Sequence, residues 1–393
     1  MNVAVDTELL IAQRQQAAVR ACERLDAAAL IGTQYDNVQY ITDQRRFFIY
    51  GWEPNSLAVI TREGASKLLA GGDYFSPGSA WEDDGAALQE RDGWNHYTIF
   101  NAGMVAEKWA EWARAALAEV GVQNGRVGID RVSWDVFEAF REAMPDVEFV
   151  RAEEELQRQR AVKNAEEQKL MRQSAWVASQ ALAAGMEAVR PGVTENEIAA
   201  AFMGRMYELG SEGNAFSPFL TSGPVREGGM FATNRTIEEG DPVIMDLGPI
   251  FGGYHGDCMR TAIAGEPTKD FEELHRVNYE AMYAGIEKMR PGARCSEVDT
   301  AVRDVQHHHG YLDTRFDSGH GIGLACLELP ILMKAGSAPD RLDMVLEPGM
   351  CVAIEPHCHK WLPDGSFIQS ALEETVLITD TGYEVITSAP YAI

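Results

Sequence analysis

The sequence predicts two domains of mixed secondary structure, an α/β domain at residues 1–151 and a duplicated α+β domain at residues 152–393. In the first part, short apolar runs bounded by turn residues alternate with helical patterns, which is typical of an α/β unit. A stretch with almost no helix breakers begins near residue 152, and we place the boundary there. The rest of the chain contains an internal repeat, which predicts two similar halves.

Composition narrows the class of protein. The chain has 393 residues, of which 46% are hydrophobic, and a formal net charge of −26. The negative charge repels phosphate backbones and anionic lipid headgroups, so we expect neither nucleic acid nor a membrane as a partner. The six cysteines are scattered without a CxxC pair, and the first residues have no signal-peptide pattern. We therefore predict reduced thiols and a cytoplasmic location.

Hydrophobic periodicity defines the elements of the first domain. A helical pattern runs from Glu8 to Leu25. The pattern then predicts, in order, strands at 27–31, 38–41 and 57–60, a helix at 105–120, a strand at 126–129, a helix at 134–144 and a strand at 147–150. Residues 152–190 are rich in Glu, Gln, Arg and Ala, which predicts one or two helices leading out of this domain.

The second domain repeats a helix, an Arg-Pro-Gly break and another helix. The segment Glu187–Gly192 recurs one hundred residues later as Glu287–Gly292. Thr194 with Glu197 forms a capping-box pattern at the start of the helix after the first break. Ser296 is the candidate N-cap in the other copy. The duplication predicts two halves related by a pseudo-twofold axis.

Four acids stand at the ends of apolar strands, where a carboxylate is costly unless it is paired or bound to a metal: Asp246, Asp257, Glu355 and Glu373. The repeat gives Asp246 and Glu355 equivalent positions in the two halves. A symmetric hairpin puts Asp257 opposite Asp246, although the turn type can shift this register by two residues without changing the faces. A hairpin centred at Asp364 puts Glu373 opposite Glu355. Like charges this close call for cations.

One histidine completes a candidate metal site. His320 lies in Ser318-Gly319-His320-Gly321-Ile322-Gly323, where small residues let the backbone approach a site closely. Four carboxylates and an imidazole suit Mn²⁺, Fe²⁺ or Co²⁺ better than Zn²⁺, and exceed what one tetrahedral ion needs. We therefore predict two divalent ions that acidify a water and polarise a substrate oxygen. The alternative for any one residue is a solvated acid or a loop histidine.

At these motifs, residues 155–393 resemble the pita-bread metallopeptidase family of methionine aminopeptidase, aminopeptidase P, prolidase and creatinase. The resemblance rests on the segments 245–248, 253–261, 319–323, 346–350, 354–356 and 373–379. It implies an α+β pita-bread fold, a general base at Glu355, and five metal ligands: Asp246, Asp257, His320, Glu355 and Glu373. Residues 1–150 resemble the N-terminal domain of the prolidase and creatinase branch, which implies a homodimer or a larger oligomer.

The chain departs from this family around the metal ligands. Counting from the motifs puts Gly229, Phe316 and Leu327 where family peptidases carry histidines, and Ala371 where many carry an arginine. Creatinase keeps a histidine at the Gly229 position and lacks the metal ligands, so the chain does not follow creatinase either. Intact metal ligands without the peptidase histidines are also found in the dimethylsulfoniopropionate lyases of this fold, which this chain resembles in that respect. The acidic residue that those lyases carry at the Leu327 position is absent here.

Two further histidines are candidates to move protons in place of the missing ones. His255 lies two residues before Asp257, and His357 lies two residues after Glu355. Strand alternation puts each imidazole on the face of its neighbouring acid. An imidazole with an unperturbed pKa of about 6.5 can act there as an acid or a base. Exposure at a strand end is the alternative.

A cationic and aromatic segment at residues 44–52 is unusual in so acidic a chain. Its Arg45, Arg46 and Trp52 are candidates to bind an anionic or quaternary substrate group across a dimer interface, and Leu327 is another candidate substrate contact. Packing and surface salt bridges are the alternative for the three segment residues.

Together these features predict a metal-dependent hydrolase that resembles Xaa-Pro peptidases and cleaves a C–N bond in a dipeptide or another small molecule. The alternative is a non-peptidase enzyme of the same fold, either a lyase or a hydrolase of small amides or amidines. A non-catalytic binding protein is a third hypothesis. That hypothesis predicts lost ligands, whereas all five are present.

Overall fold

The computed structural model describes residues 3–44, 56–70, 102–224, 230–311, 317–337 and 339–391. The chain divides into two compact units, Asp6–Arg160 and a second that combines Met1–Val5 with Ala161–Ile393. The first unit extends beyond the boundary predicted at residue 152 and includes most of the helix Glu153–Ala161. Within the described ranges, no helix is long and apolar enough to cross a membrane.

The first unit is a mixed five-stranded sheet between helices. In chain order its elements are α1 (Thr7–Arg24), β1 (Ala29–Gly32), α2 (Tyr35–Thr42), β2 (Ser56–Thr61), β3 (Ser66–Ala70), α3 (Ala102–Glu119), β4 (Gly125–Ile129), α4 (Trp134–Ala143), β5 (Val147–Arg151) and α5 (Glu153–Ala161). The strand order is β3-β2-β1-β4-β5, with β1 antiparallel to β2 and parallel to β4. Successive residues of β1 point to opposite faces, so Ile31 packs with Trp109 and Phe140, and Leu30 packs with Ala18 and Leu156. The predicted α/β character is confirmed, and β3 is an additional strand.

One predicted strand of this unit is wrong. Residues 38–41 lie in the helix α2, with their side chains buried. The carboxylate of Asp130, far away in sequence, accepts hydrogen bonds from the backbone N–H groups of Thr33 (2.7 Å) and Gln34 (2.9 Å), the two residues that precede this helix. A short apolar run does not distinguish a strand from a helix by its periodicity, and the contact with Asp130 is a tertiary one.

The second unit contains the duplicated halves. In chain order its elements are α6 (Ala165–Ala188), α7 (Glu195–Glu208), β6 (Phe219–Ser222), β7 (Pro242–Leu247), β8 (Ile250–Phe251), β9 (Tyr254–His255), β10 (Cys258–Ile263), α8 (Lys269–Ile286), α9 (Cys295–His308), β11 (Gly319–Gly321), β12 (Glu328–Leu332), a 3₁₀ turn (Asp340–Leu342), β13 (Cys351–Ile354), β14 (His357–Trp361), β15 (Phe367–Ala371), β16 (Glu374–Ile378) and β17 (Tyr383–Val385). One core joins α6 and α7 to the sheet β10-β7-β6. The other joins α8 and α9 to the sheet β12-β11-β13-β16-β17.

The predicted repeat is confirmed, because α7 and α9 begin and end one hundred residues apart. The capping box of Thr194 and Glu197 is present at the start of α7. In the second copy the N-cap is Arg294, and the predicted cap at Ser296 is wrong. The carboxylate of Asp343 accepts the backbone N–H of Ser296 (2.9 Å), so a segment distant in sequence supplies the acceptor.

The two hairpins that carry the acids differ in register. In β14–β15, His357 pairs with Ala371, which confirms a hairpin centred at Asp364. In β7–β10, Asp246 pairs with Met259 and not with Asp257. The short pair β8–β9 continues this shifted register, which is the two-residue alternative that the turn left open.

Candidate metal centre

Strand ends bring the five predicted ligands to one place in the second unit. Asp246 lies in β7, His320 is the middle residue of β11, and Glu355 directly follows β13. Asp257 and Glu373 directly precede β10 and β16. Four of the five residues are buried, and the side chain of Glu355 is 26% exposed. The site is therefore a largely buried group of four acids and one histidine.

The ligand atoms of three residues form a tight group. One atom each of Asp257, His320 and Glu373 lie within 4.8 Å of one another. His320 Nε2 lies 3.3 Å from Glu355 Oε1 and 3.8 Å from Asp257 Oδ2. Asp246 is close enough to Asp257 and Glu355 for their charges to raise the pKa of its carboxyl group. All five side chains therefore interact directly or through a neighbour.

The pKa values show how crowded with negative charge the site is. Burial, reinforced by the neighbouring carboxylates, raises the pKa of Asp246 and of Glu373 well above the usual range. Burial also raises the pKa of Asp257 to about 6, although the charge of His320 opposes this. Burial alone would raise the pKa of Glu355, but hydrogen bonds and charges of His320 and His357 lower it to about 2.

His320 shows the opposite balance. Burial alone would lower the pKa of its imidazole, but the hydrogen bond to Glu355 and the charges of Glu355 and Asp257 raise it to about 9. One imidazolium is too little positive charge for four carboxylates. A divalent cation would supply the missing charge, and His320 would then hold it as a neutral imidazole.

Unpartnered carboxylate oxygens show that these residues fit divalent cations. Asp246 Oδ1, Asp257 Oδ1 and Glu373 Oε1 are buried without a hydrogen-bond partner in the described part of the chain. Buried carboxylate oxygens are costly unless they are paired or coordinate a metal. Several carboxylates with one imidazole form an oxygen-rich set that suits Mn²⁺, Fe²⁺ or Co²⁺. The residues present therefore fit the ions that the sequence predicts.

The backbone at His320 requires glycine beside it. Gly319 has φ +152°, and a Cβ there would lie 2.0 Å from the carbonyl oxygen of Ala353 in β13. The close approach of β11 to β13 therefore excludes any side chain at this position. His320 Nδ1 lies 3.0 Å from the carbonyl oxygen of Gly321, which leaves Nε2 toward the carboxylates.

Other residues hold the acids in place, and the sequence analysis did not single them out. Arg260 Nη1 donates to the carbonyl oxygen of Glu373 (2.5 Å), and its Nη2 donates to the carboxylate of Glu374 (2.5 Å). Thr375 Oγ1 donates to the carbonyl oxygen of Asp257 (2.9 Å). The available signal was an arginine and a threonine in strands that are buried and mostly apolar.

A cysteine was also missed. Cys326, in the loop after β11, places its Sγ 3.2 Å from Asp257 Oδ2. The sequence offered no signal for this contact beyond the position of Cys326 shortly after His320.

The two candidate proton carriers occupy different places. His357 Nε2 lies 3.7 Å from Glu355 Oε2, and its Nδ1 lies 2.7 Å from Gln369 Nε2. His255 lies in β9, apart from β10, and both its backbone N–H (2.8 Å) and its Nδ1 (3.1 Å) face the carbonyl oxygen of Gly323. The structure thus brings His357 to Glu355, and it brings His255 to the loop that follows His320.

The structure describes only some of the predicted substrate residues. Leu327 is 67% exposed and directly follows Cys326. Ala371 is buried in β15 opposite His357. Other positions lie outside the described residues: Arg45, Arg46, Trp52, Gly229 and Phe316.

Comparison with known proteins agrees with this architecture. The profile of metallopeptidase family M24 matches residues 169–380, and that of the creatinase/prolidase N-terminal domain matches residues 14–162. The Xaa-Pro dipeptidase of Pyrococcus furiosus is 30% identical over 260 residues, which cover 65% of this chain and 71% of that protein. The creatinase of a Bacillus species is 26% identical over 377 residues, which cover 92% of this chain and 87% of that protein.

Solved structures share the fold. The Xaa-Pro dipeptidase from Bacillus anthracis aligns with a TM-score of 0.75 and 24% identity over 97% of this chain and 98% of that chain. The dipeptidase PepE from Mycobacterium ulcerans aligns with a TM-score of 0.77 and 23% identity over 100% of this chain and 99% of that chain. The predicted pita-bread fold with a creatinase-like N-terminal domain is therefore confirmed. With more than half of its length matched by the family profile, this chain belongs to metallopeptidase family M24.

Proposed function

We propose that this chain is a metal-dependent Xaa-Pro dipeptidase, which hydrolyses the C–N bond of a small peptide. The observation that carries the proposal is the buried group of Asp257, His320 and Glu373 beside Glu355, with carboxylate oxygens that lack a hydrogen-bond partner within the described ranges. The relatives named Xaa-Pro dipeptidase support the substrate class. They favour a hydrolase over the lyase alternative.

Two divalent ions would be held by the five predicted ligands: Asp246, Asp257, His320, Glu355 and Glu373. When bound, such ions polarise the scissile carbonyl group and lower the pKa of the attacking water. Mn²⁺, Fe²⁺ and Co²⁺ are the ions that this donor set favours.

The protein's own contribution is proton transfer and orientation. As the predicted general base, the carboxylate of Glu355 would accept the proton of the attacking water. His357 lies beside Glu355 and is 15% exposed at its side chain, so it can exchange protons with Glu355 and deliver one to the departing nitrogen. Water oxygen becomes bonded to the carbonyl carbon, the C–N bond breaks, and the amine leaves protonated.

The remaining predictions belong to the same proposal. His255 is a second candidate proton carrier, and its contact with Gly323 also supports a positioning role. Leu327, with Arg45, Arg46 and Trp52, remains a candidate substrate contact. A homodimer and a cytoplasmic location are proposed as well, and the absence of a disulfide among the six cysteines supports the location.

The test is hydrolysis of an Xaa-Pro dipeptide panel by metal-free protein reconstituted with Mn²⁺, Fe²⁺, Co²⁺ or Zn²⁺, with bound metal counted per chain. We expect turnover with at least one ion, and its loss in Glu355→Ala. The matched control is Glu347→Ala, an exposed acid in the same segment. Two bound ions without turnover on any Xaa-Pro dipeptide would reject the dipeptidase and direct the search to small amides, betaines and sulfonium compounds.

A further inference from the structure

We propose that Asp299 in α9 is a positioning residue for the metal centre and acts through the hydroxyl group of Ser318. The backbone of Ser318 adjoins both a metal-binding residue, His320, and the predicted general base, Glu355. The inference rests on the proposed two-ion site, and it gives a role to Asp299, which lies outside the motifs of the predicted ligands.

A buried hydrogen bond joins α9 to the residue that precedes β11. Ser318 Oγ donates to Asp299 Oδ1 (2.6 Å), and both side chains are buried. The other carboxylate oxygen, Oδ2, accepts a hydrogen bond from Nε of Arg303, one turn later in α9 (2.7 Å). Hydrogen bonds to a charged group are stronger than those between neutral groups. The carboxylate is therefore held from both sides and offers Ser318 a fixed acceptor.

The backbone of Ser318 lies between the two functional residues that it would position. Its carbonyl oxygen accepts the backbone N–H of Glu355 (2.9 Å), and its own N–H donates to the carbonyl oxygen of Leu332 (2.9 Å). His320 follows two residues later, in β11. A shift of Ser318 would therefore move the imidazole and the carboxylate relative to each other. A metal site requires its donors to stay close to one geometry.

The duplicated half of this unit provides an internal comparison. The helices α7 and α9 begin one hundred residues apart, and so do the strands β6 and β11. At this spacing Asp299 corresponds to Ala199, and His320 corresponds to Leu220. Leu220 is part of an apolar core, and Ala199 packs against that core. If packing of helix on strand alone required a polar bridge, both halves should carry one. The acid occurs in the half whose strand holds a metal ligand.

The bridge matters because the backbone beside it has few other restraints. Gly319 follows Ser318 and has no side chain to hold this segment, since a Cβ there would lie 2.0 Å from the carbonyl oxygen of Ala353. Loss of the hydroxyl-to-carboxylate bond would let Ser318 shift. Residues that orient metal ligands contribute about tenfold or more to metal affinity. We therefore expect the bridge to affect metal binding as well as folding.

The test measures the affinity of the full chain for Co²⁺ by competition with a chelator of known affinity. Ser318→Ala and Asp299→Ala should each weaken Co²⁺ binding about tenfold relative to the wild type. Because the two residues act in series, the double variant should bind Co²⁺ no more weakly than Asp299→Ala alone. The matched control is Asp304→Ala, which changes an exposed acid in the same helix and should keep the wild-type affinity.

Ser318→Ala removes a single oxygen atom, so it decides the matter even if Asp299→Ala does not fold. A lowered Tm with wild-type Co²⁺ affinity in Ser318→Ala would overturn the proposal, because a contact that serves only folding leaves metal binding unchanged. Additive losses of affinity in the double variant would also overturn it, since Asp299 would then not act through Ser318.

Failure of the proposed function gives a different result. Weaker Co²⁺ binding in Ser318→Ala, without dipeptide turnover by the wild type, would support the positioning role and reject the dipeptidase. A wild-type chain that binds no Co²⁺ would overturn the two-ion site and the positioning role together.

Discussion

The imidazole of His357 lies beside the carboxylate of Glu355, with 3.7 Å between Nε2 and Oε2. Gln369 fixes the other side of the ring, since its amide lies 2.7 Å from Nδ1. An amide N–H donated to Nδ1 leaves the proton of the neutral ring on Nε2, toward Glu355. The ring is thus oriented for proton exchange with this acid.

We therefore expect His357→Ala to reduce kcat about 100-fold on an Xaa-Pro dipeptide, with the bound metal unchanged. His359→Ala is the matched control, because His359 lies in the same strand as His357 and packs on Trp361 and Phe367. Steady-state kinetics and metal analysis of both variants make the comparison. Equal kcat values for His357→Ala and the wild type would remove His357 from the mechanism.

The buried acids predict a stability that depends on metal. Glu373→Gln should lose at least one bound ion per chain, whereas the exposed Glu384→Gln should keep the wild-type content. Chelation should lower the Tm of the wild type, because ions that bind only the folded state stabilise it. The Tm of Glu373→Gln should respond less, since the variant has less metal to lose and less carboxylate repulsion without it. A full wild-type response in Glu373→Gln would show that this acid holds no metal.

A buried ion pair in the second unit predicts that losing one partner lowers the stability more than losing both. Lys163 Nζ lies 2.7 Å from Glu328 Oε1, with side chains 1% and 0% exposed. Glu328→Gln should lower the free energy of unfolding by about 3 kcal/mol, because Lys163 is then buried without its partner charge. The double variant Lys163→Met with Glu328→Leu should recover most of this loss, since it removes both charges.

The control for this pair is Arg276→Ala, which breaks an exposed pair with Glu280 and should cost less than about 1 kcal/mol. Urea unfolding midpoints provide the measurement. A double variant no more stable than Glu328→Gln would contradict the reasoning.

His275 predicts acid sensitivity. Burial, with a smaller effect from the charge of Arg260, lowers the pKa of this imidazole from 6.5 to about 4. Between those pH values the unfolded chain binds a proton that the folded chain does not. Stability therefore falls as the pH drops through this window, by up to about 3 kcal/mol from this group, and the contribution is constant above about pH 6.5.

The measurement is the free energy of unfolding of the wild type and of His275→Gln between pH 4 and 7. The variant should lack the part of the pH dependence that His275 contributes. His307→Gln, at the exposed end of α9, should keep it. Parallel pH profiles for the wild type and His275→Gln would show that His275 does not titrate as expected.

The sequence by itself determined the duplicated domain and the acids that meet in it. Local signals sufficed because the Arg-Pro-Gly break and the helix after it recur at a fixed spacing. A carboxylate such as Asp246 or Glu355 at the end of an apolar strand is costly without a partner, so its presence is informative. The glycines around His320 signalled a close backbone approach, and Gly319 makes one to Ala353.

Tertiary structure decided what these local signals left open. Residues 38–41 form a helix whose preceding residue Thr33 is bound by the distant Asp130. The register that β8–β9 continues pairs Asp246 with Met259 and not with Asp257. The contacts of Cys326 with Asp257 and of Gln369 with His357 were likewise decided by the tertiary structure. Each joins segments that periodicity treats separately, because burial and hydrogen bonding act between neighbours in space and not between neighbours in sequence.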